Sequence, residues 1–182
     1  MTIAEDLAQE YAKQVEEKGL KVLDLNYLTT VISKLTRWIT STDPQVSRSL
    51  MVVGPVGSGK TTMVSAMREV LRRHYVTVAS TTCREVSERL KGGDDLYELA
   101  SSHEIMIFDD LGTDEPTVTV YGTVFRPMER VIKKASDSGK SLVITTNLSL
   151  DGIMAQYGSE RMADCLRAYA VLDMSHVSFR RI

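Results

Sequence analysis

The residues Gly54-Pro55-Val56-Gly57-Ser58-Gly59-Lys60-Thr61-Thr62 combine three glycines, a lysine and adjacent hydroxyls at the spacing that grips a chain of phosphates. The pattern G-x-x-x-x-G-K-[ST] is complete. Phosphate oxygens must be met by several backbone N–H groups at once, and glycine lets the main chain wrap that closely. A helix opening at the end of the loop adds its positive dipole end. In this arrangement Lys60 reaches the β- and γ-phosphates of a nucleoside triphosphate, and the Thr61 hydroxyl ligates Mg²⁺. ATP and Mg²⁺ are the cofactors this chemistry calls for.

A second group of chemical residues lies about 50 residues on. Ile105-Met106-Ile107-Phe108 ends in Asp109-Asp110. Four apolar residues read as a central buried strand, and ligands of open α/β sheets bind outside the C-terminal ends of such strands. Asp109 is then placed to hold Mg²⁺, through water, and Asp110 to orient or deprotonate an attacking water. A third apolar run, Ser141-Leu142-Val143-Ile144-Thr145, ends in Thr146-Asn147. Asn147 is either a turn residue, a common place for asparagine, or an amide directed at the γ-phosphate and its water.

These residues need elements to carry them. Ser49–Val53 reads as a buried strand before the loop and Thr62–Leu71 as an amphipathic helix after it. Tyr75–Ser80 alternates and is β-branched, a second strand. Thr82-Cys83-Arg84-Glu85 is a capping box opening a helix that Gly92-Gly93 breaks, with a short helix expected from Leu96 to Ala100. A further helix spans Gly122 to Asp137, with Pro127 near its start. Two short helices, Asp151–Gln156 and Ser159–Arg167, precede a fifth strand at Ala170–Met174. Strands alternating with helices give a parallel α/β sheet. Ahead of this core, Thr2 and Glu5 form a capping box, and Ile3, Leu7, Tyr11 and Val15 make a narrow apolar stripe ending at Gly19. That stripe either packs on its own domain or docks a partner. A second helix carries Leu28, Val31, Ile32, Leu35, Trp38 and Ile39 on one face, closed by Ser41 to Pro44. The division expected is 1–44 as an N-terminal helical extension and 45–182 as the core.

Composition narrows the classes. The 182 residues are 43% hydrophobic with a formal net charge of −2, enough for a real core and not a strongly basic nucleic-acid coat. Nucleic-acid contact would have to come from a local patch or an assembled oligomer. Arg72, Arg73, Arg84, Arg89 and Lys91 are candidates for it, and equally suit solvated helix faces. The acidic first residues lack an apolar signal-peptide core, and no apolar run approaches a membrane span. Cys83 and Cys165 are far apart, without metal spacing, as expected of reduced thiols in a cytoplasmic protein.

Several strings, in order, resemble a known family. They are Gly54 to Thr61, Phe108-Asp109-Asp110-Leu111-Gly112, Thr145-Thr146-Asn147-Leu148-Ser149, Tyr157-Gly158-Ser159-Glu160-Arg161 and Ser178-Phe179-Arg180. Together they are similar to the AAA+ ATPases of the bacterial helicase-loader type (DnaC-like) and the related IstB transposition helpers, over about residues 45 to 182. The resemblance implies a P-loop NTPase of AAA+ type. Its five-stranded parallel sheet would run in the order 5-1-4-3-2, flanked by helices, with no separate C-terminal lid domain. It implies a DNA-replication ATPase that binds single-stranded DNA and loads or remodels a replicative helicase or transposase, as a nucleotide-dependent homo-oligomer. Lys60 and Thr61 then belong to Walker A, Asp109 and Asp110 to Walker B, and Asn147 is sensor 1. Arg161 lies where the family keeps interface arginines, and Arg180 matches its terminal Ser-aromatic-Arg string at the nucleotide.

Two departures qualify the resemblance. The family commonly has Asp-Arg-Leu where this chain has Asp164-Cys165-Leu166, and that arginine is a candidate finger for a neighbour's γ-phosphate. Arg161, one helical turn before Cys165 on the same face, stands within reach of the role; slow or partner-stimulated hydrolysis is expected. Helicase loaders also carry a separate N-terminal domain that grips the helicase, whereas about 45 residues precede the first core strand here. Two rival classes fit parts of the pattern. A small-molecule kinase shares the phosphate loop but needs an arginine-rich lid, and only Arg126 and Arg130 fall between Gly112 and Lys140. A non-catalytic nucleotide-gated assembly module would explain Cys165 but not the set Asp109, Asp110 and Asn147.

Overall fold

The computed structural model describes residues 2–93 and 103–181, with the backbone alone at 180 and 181. The short helix expected at Leu96–Ala100 lies outside the described residues. Five strands build the central sheet: β2 (Leu50–Val53), β3 (Val78–Thr82), β4 (Ile105–Leu111), β7 (Ser141–Thr146) and β8 (Ala170–Asp173). They pair in the order β3-β4-β7-β2-β8, all parallel. Numbered as core strands, this is the expected 5-1-4-3-2.

Alternation along the strands sends side chains to two helical layers. Val52, Ile107, Val143 and Leu172 pack with α1 (Ile3–Glu17), α2 (Leu25–Thr40) and α3 (Lys60–Arg73). Met51, Phe108 and Ile144 face the layer of α4 (Cys83–Lys91), α5 (Pro127–Asp137), α6 (Leu150–Tyr157) and α7 (Glu160–Arg167). Helix α1 starts on its capping box: the Glu5 N–H donates to Thr2 Oγ1 at 3.2 Å and the Thr2 N–H to Glu5 Oε2 at 2.8 Å. Its stripe of Leu7, Tyr11 and Val15 is buried against α3, in the same cluster as the sheet residues. The apolar stripe thus packs on its own chain. Gly19, at φ +67, turns the chain into β1 (Leu20–Val22), which pairs antiparallel with β9 (Phe179–Arg181).

Two expectations shift. The second core strand begins at Val78, not Tyr75, because Tyr75 takes a left-handed turn (φ +63) after α3 and the ladder starts with Val78 opposite Ile105. The helix expected from Gly122 starts at Pro127; before it the chain forms a hairpin of β5 (Val118–Val120) and β6 (Thr123–Phe125). Tyr121 and Gly122, at φ +49 and +79, make the tight turn that two-residue hairpins require. Val118 is buried, and the Arg130 guanidinium lies 4.9 Å over the Phe125 ring. Among the described residues no helix is long and apolar enough to cross a membrane.

Candidate nucleotide-binding site

Three buried residues of β2, Leu50 to Val52, deliver the chain to Gly54 at the C-terminal edge of the sheet. There the loop folds too tightly for a side chain. A Cβ on Gly54 would stand 2.8 Å from Ser58 Oγ and 3.1 Å from the Met174 carbonyl carbon. Gly59, at φ +83, is the N-cap of α3, and a Cβ on it would meet Tyr11 Oη at 2.6 Å and Phe179 Cζ at 2.7 Å. Helices α1, α2, α4, α6 and α7 each start on a side-chain cap from Thr2, Asp24, Thr82, Ser149 or Ser159. Helix α3 has no such cap and no acid in its first turn. Its first N–H groups therefore keep their capacity to bind an anion.

The Lys60 ammonium donates to the carbonyls of Gly54 (2.8 Å) and Pro55 (2.9 Å), which hold it over the loop. Burial lowers its pKa, and the charges of Asp110 and Asp109 oppose that shift. Thr61 Oγ1 donates to Asp109 Oδ1 at 3.2 Å, so the loop hydroxyl and the strand acid meet across the sheet edge. The same Asp109 oxygen accepts from Thr145 Oγ1 at 2.5 Å, and Thr145 Oγ1 accepts the Asp110 N–H at 2.8 Å. Asp110 itself is left-handed, φ +61, at a register shift of β4 against β7 between Phe108 and Leu111. Such a bulge re-aims side chains at the strand end, here turning Asp110 out beside Asp109. Partial burial, then the Asp109 charge, raises the Asp110 pKa, with Lys60 opposing.

These residues suit a triphosphate and Mg²⁺. Two glycines let the loop fold closely on its own surroundings, and the donors it presents are an ammonium and uncapped amides. No three His, Cys, Asp or Glu side chains cluster for a metal among the described residues. Thr61 and Asp109 thus offer one hydroxyl and one carboxylate, leaving other positions to phosphate and water, as Mg²⁺ prefers.

The structure brings together Gly54 through Thr62, Asp109 and Asp110. Asn147 follows β7, between the strands that carry Asp109 and Gly54, and is exposed. Among the described residues, Arg161 makes no hydrogen bond to any of them. It is exposed on α7, in the layer opposite α3, without an ion-pair partner among the described residues. Cys165 is half-buried on the same helix, and Arg167 pairs with Asp164. The Arg180 backbone lies opposite Lys21 in the β1–β9 pair. Of the basic candidates, Arg72 pairs with Glu69, Arg73 with Glu10 and Lys91 with Glu115, while Arg84 is exposed.

Three features of the site escape a motif reading. Thr145 bonds Asp109 and accepts the Asp110 N–H, and its signals are a hydroxyl at the end of an apolar run and its place at the head of the Thr145–Ser149 string. Tyr11 and Lys18 come from α1: Lys18 Nζ donates to Thr62 Oγ1 at 2.6 Å. Behind Asp110, the Gly112 N–H donates to Tyr157 Oη (3.0 Å) and Asp114 Oδ1 (3.2 Å), and the buried Tyr157 hydroxyl donates to Asp114.

Comparison with known proteins agrees with this geometry. A family model described as NTPase matches residues 49–147. No curated protein matches the sequence. Among solved structures, the chain is similar to the DnaC helicase loader (TM-score 0.65, 18% identity, 82% of this chain and 91% of that one). It is similar to a putative primosome component from Streptococcus pyogenes serotype M3 (TM-score 0.67, 15% identity, 98% and 97% covered). It also resembles the replication initiator DnaA bound to AMPPCP and single-stranded DNA (TM-score 0.55, 13% identity, 88% and 49% covered). The fold is that of the AAA+ helicase loaders and initiators.

Proposed function

This chain belongs to the NTPase family matched over residues 49–147, and we propose that it is a Mg²⁺-dependent ATPase of helicase-loader type. In this reading it binds single-stranded DNA in the cytoplasm and loads or remodels a partner such as a replicative helicase. The observation that carries the ATPase reading is the 3.2 Å bond from Thr61 to Asp109 beside an uncapped helix start. Mg²⁺ bound there would neutralise charge building on the β- and γ-phosphates. The N–H groups of Gly57 to Thr62 would cradle the phosphates, Lys60 would leave its two carbonyls for the β- and γ-oxygens, and Thr61 and Asp109 would hold the metal. Asp110 accepts the proton of the attacking water, and its raised pKa makes it a better base than an ordinary aspartate. Asn147 orients that water. Arg161 serves a neighbour's site in an oligomer, and Arg180, in the terminal Ser-aromatic-Arg string, contacts the nucleotide.

The loader reading is supported by the fold and by the ordered strings from Gly54 to Arg180. One relative of that fold is described with AMPPCP and single-stranded DNA, the two ligands proposed here. Cys165 favours a second reading, a nucleotide-gated assembly module with little turnover. Asp110→Asn tests the site. The variant is expected to keep wild-type ATP affinity and to lose turnover by at least about 10²-fold. Unchanged turnover would remove Asp110 as the base. ATP-dependent assembly without phosphate release from the wild type would favour the second reading.

A further inference from the structure

Helix α1 lies along the phosphate loop as well as the core. Tyr11 and Lys18, two helical turns apart, both meet the loop and its helix. Tyr11 is 0% exposed, and its hydroxyl lies 2.6 Å from where a Cβ of Gly59 would be. That hydroxyl has no hydrogen-bond partner, nor does the buried Ser58 Oγ on the loop itself. Buried polar groups without partners mark places where a ligand or water completes the set. Lys18 is exposed, carries no ion pair among the described residues, and spends its ammonium on Thr62 Oγ1 at 2.6 Å. Thr62 is the third residue of α3, whose N–H is one of the uncapped anion-binding groups.

We infer that Lys18 is a nucleotide-binding residue supplied by the N-terminal helix, contacting the α-phosphate end of the bound nucleotide. This rests on the nucleotide-site reading above and extends it to a residue outside the loop motif. The side of approach sets the phosphate. Thr61 turns to Asp109, where the metal and γ-phosphate chemistry belongs, and Lys60 covers the β- and γ-oxygens. Lys18 comes to Thr62 from α1, leaving it the part of the ligand that ATP and ADP share. A flexible ammonium at that point makes a charge-assisted bond to a phosphate oxygen without leaving Thr62.

The test is calorimetric binding of ATP, ADP and adenosine to the full chain, compared with Lys18→Gln, Lys18→Arg and Lys60→Ala, alongside each variant's thermal midpoint. Lys18→Gln is expected to weaken ATP and ADP in parallel by about five- to tenfold, with adenosine unchanged. Lys18→Arg should recover most of the loss. Because Lys18 is exposed, the midpoint should stay near wild type. Wild-type binding that Lys60→Ala abolishes and Lys18→Gln leaves intact would overturn this inference alone. A loss confined to ATP would overturn the assignment to the α-phosphate. A wild type that binds neither nucleotide would overturn both this inference and the nucleotide-site reading.

Discussion

At the scale of single residues, the strain at Asp110 is the sharpest sign of selection for chemistry over stability. A left-handed backbone costs an L-residue about 1–2 kcal/mol, and glycine's extra unfolded-state freedom gives back about half of that. Asp110→Gly is therefore expected to raise unfolding stability by about 0.5–1 kcal/mol in urea titration while abolishing turnover. A fall in stability would mean that φ +61 is not a strained compromise. Gly59 is the opposite case. Alanine there would be forced into positive φ and into Tyr11 and Phe179, so Gly59→Ala should cost more than about 2 kcal/mol. A smaller cost would show that α1 and β9 give way readily. Lys60, Thr61 and Asp109 were legible in the sequence because phosphate chemistry fixes their types and spacing. Tyr11 and Lys18 were not, since each acts across the fold from a position with no motif of its own; Thr145 stood in a recognised string, but its bond to Asp109 is a contact between strands that no string reports.

At the scale of elements, α1 is structural before it is anything else. Leu7 is wholly buried against α3 and the sheet layer, so Leu7→Ala should destabilise the whole domain by about 2–5 kcal/mol in one cooperative transition. A loss near zero, or a separate early transition, would make α1 a detachable arm. Helix α4 depends on its cap. The Thr82 N–H, then the Thr81 and Thr82 hydroxyls, hold the Glu85 carboxyl below its ordinary 4.5. A depressed carboxylate contributes stability above about pH 4.5 that is lost as pH falls through its folded value. Glu85→Ala, which removes the carboxylate these groups hold, should cost about 0.5–1 kcal/mol at neutral pH and less in acid, read from urea midpoints at both; equal costs would contradict the linkage. The capping boxes, buried strands and loop helix were readable from local chemistry. The β5–β6 hairpin was not: its Tyr121-Gly122 turn resembles a helix start before Pro127, and only Val118 packing on α4 decides between them.

At the scale of the whole molecule, the phosphate loop and the candidate arginine stand on different elements. The phosphate loop, Asp109 and Asp110 share one edge, whereas Arg161 stands on α7 in the opposite helical layer, exposed and without an ion pair among the described residues. The proposed function has this arginine act in trans. Arg161→Ala should then lower turnover on the order of 10³-fold while leaving ATP affinity of the isolated chain unchanged; unchanged turnover would exclude it as the finger. With a net charge of −2, any grip on single-stranded DNA must come from a local basic surface. Its affinity should therefore fall steeply with salt. The parallel sheet was legible because strands alternate with helices; the order of its strands was what the family resemblance implied. The proposed assembly was not legible, since no residue of a single chain reports a neighbour. The most direct measurement is phosphate release from ATP with and without single-stranded DNA, with Lys60→Ala as control. A DNA-linked ATPase predicts turnover that rises with DNA and vanishes in the variant. ATP bound without turnover under either condition would contradict it.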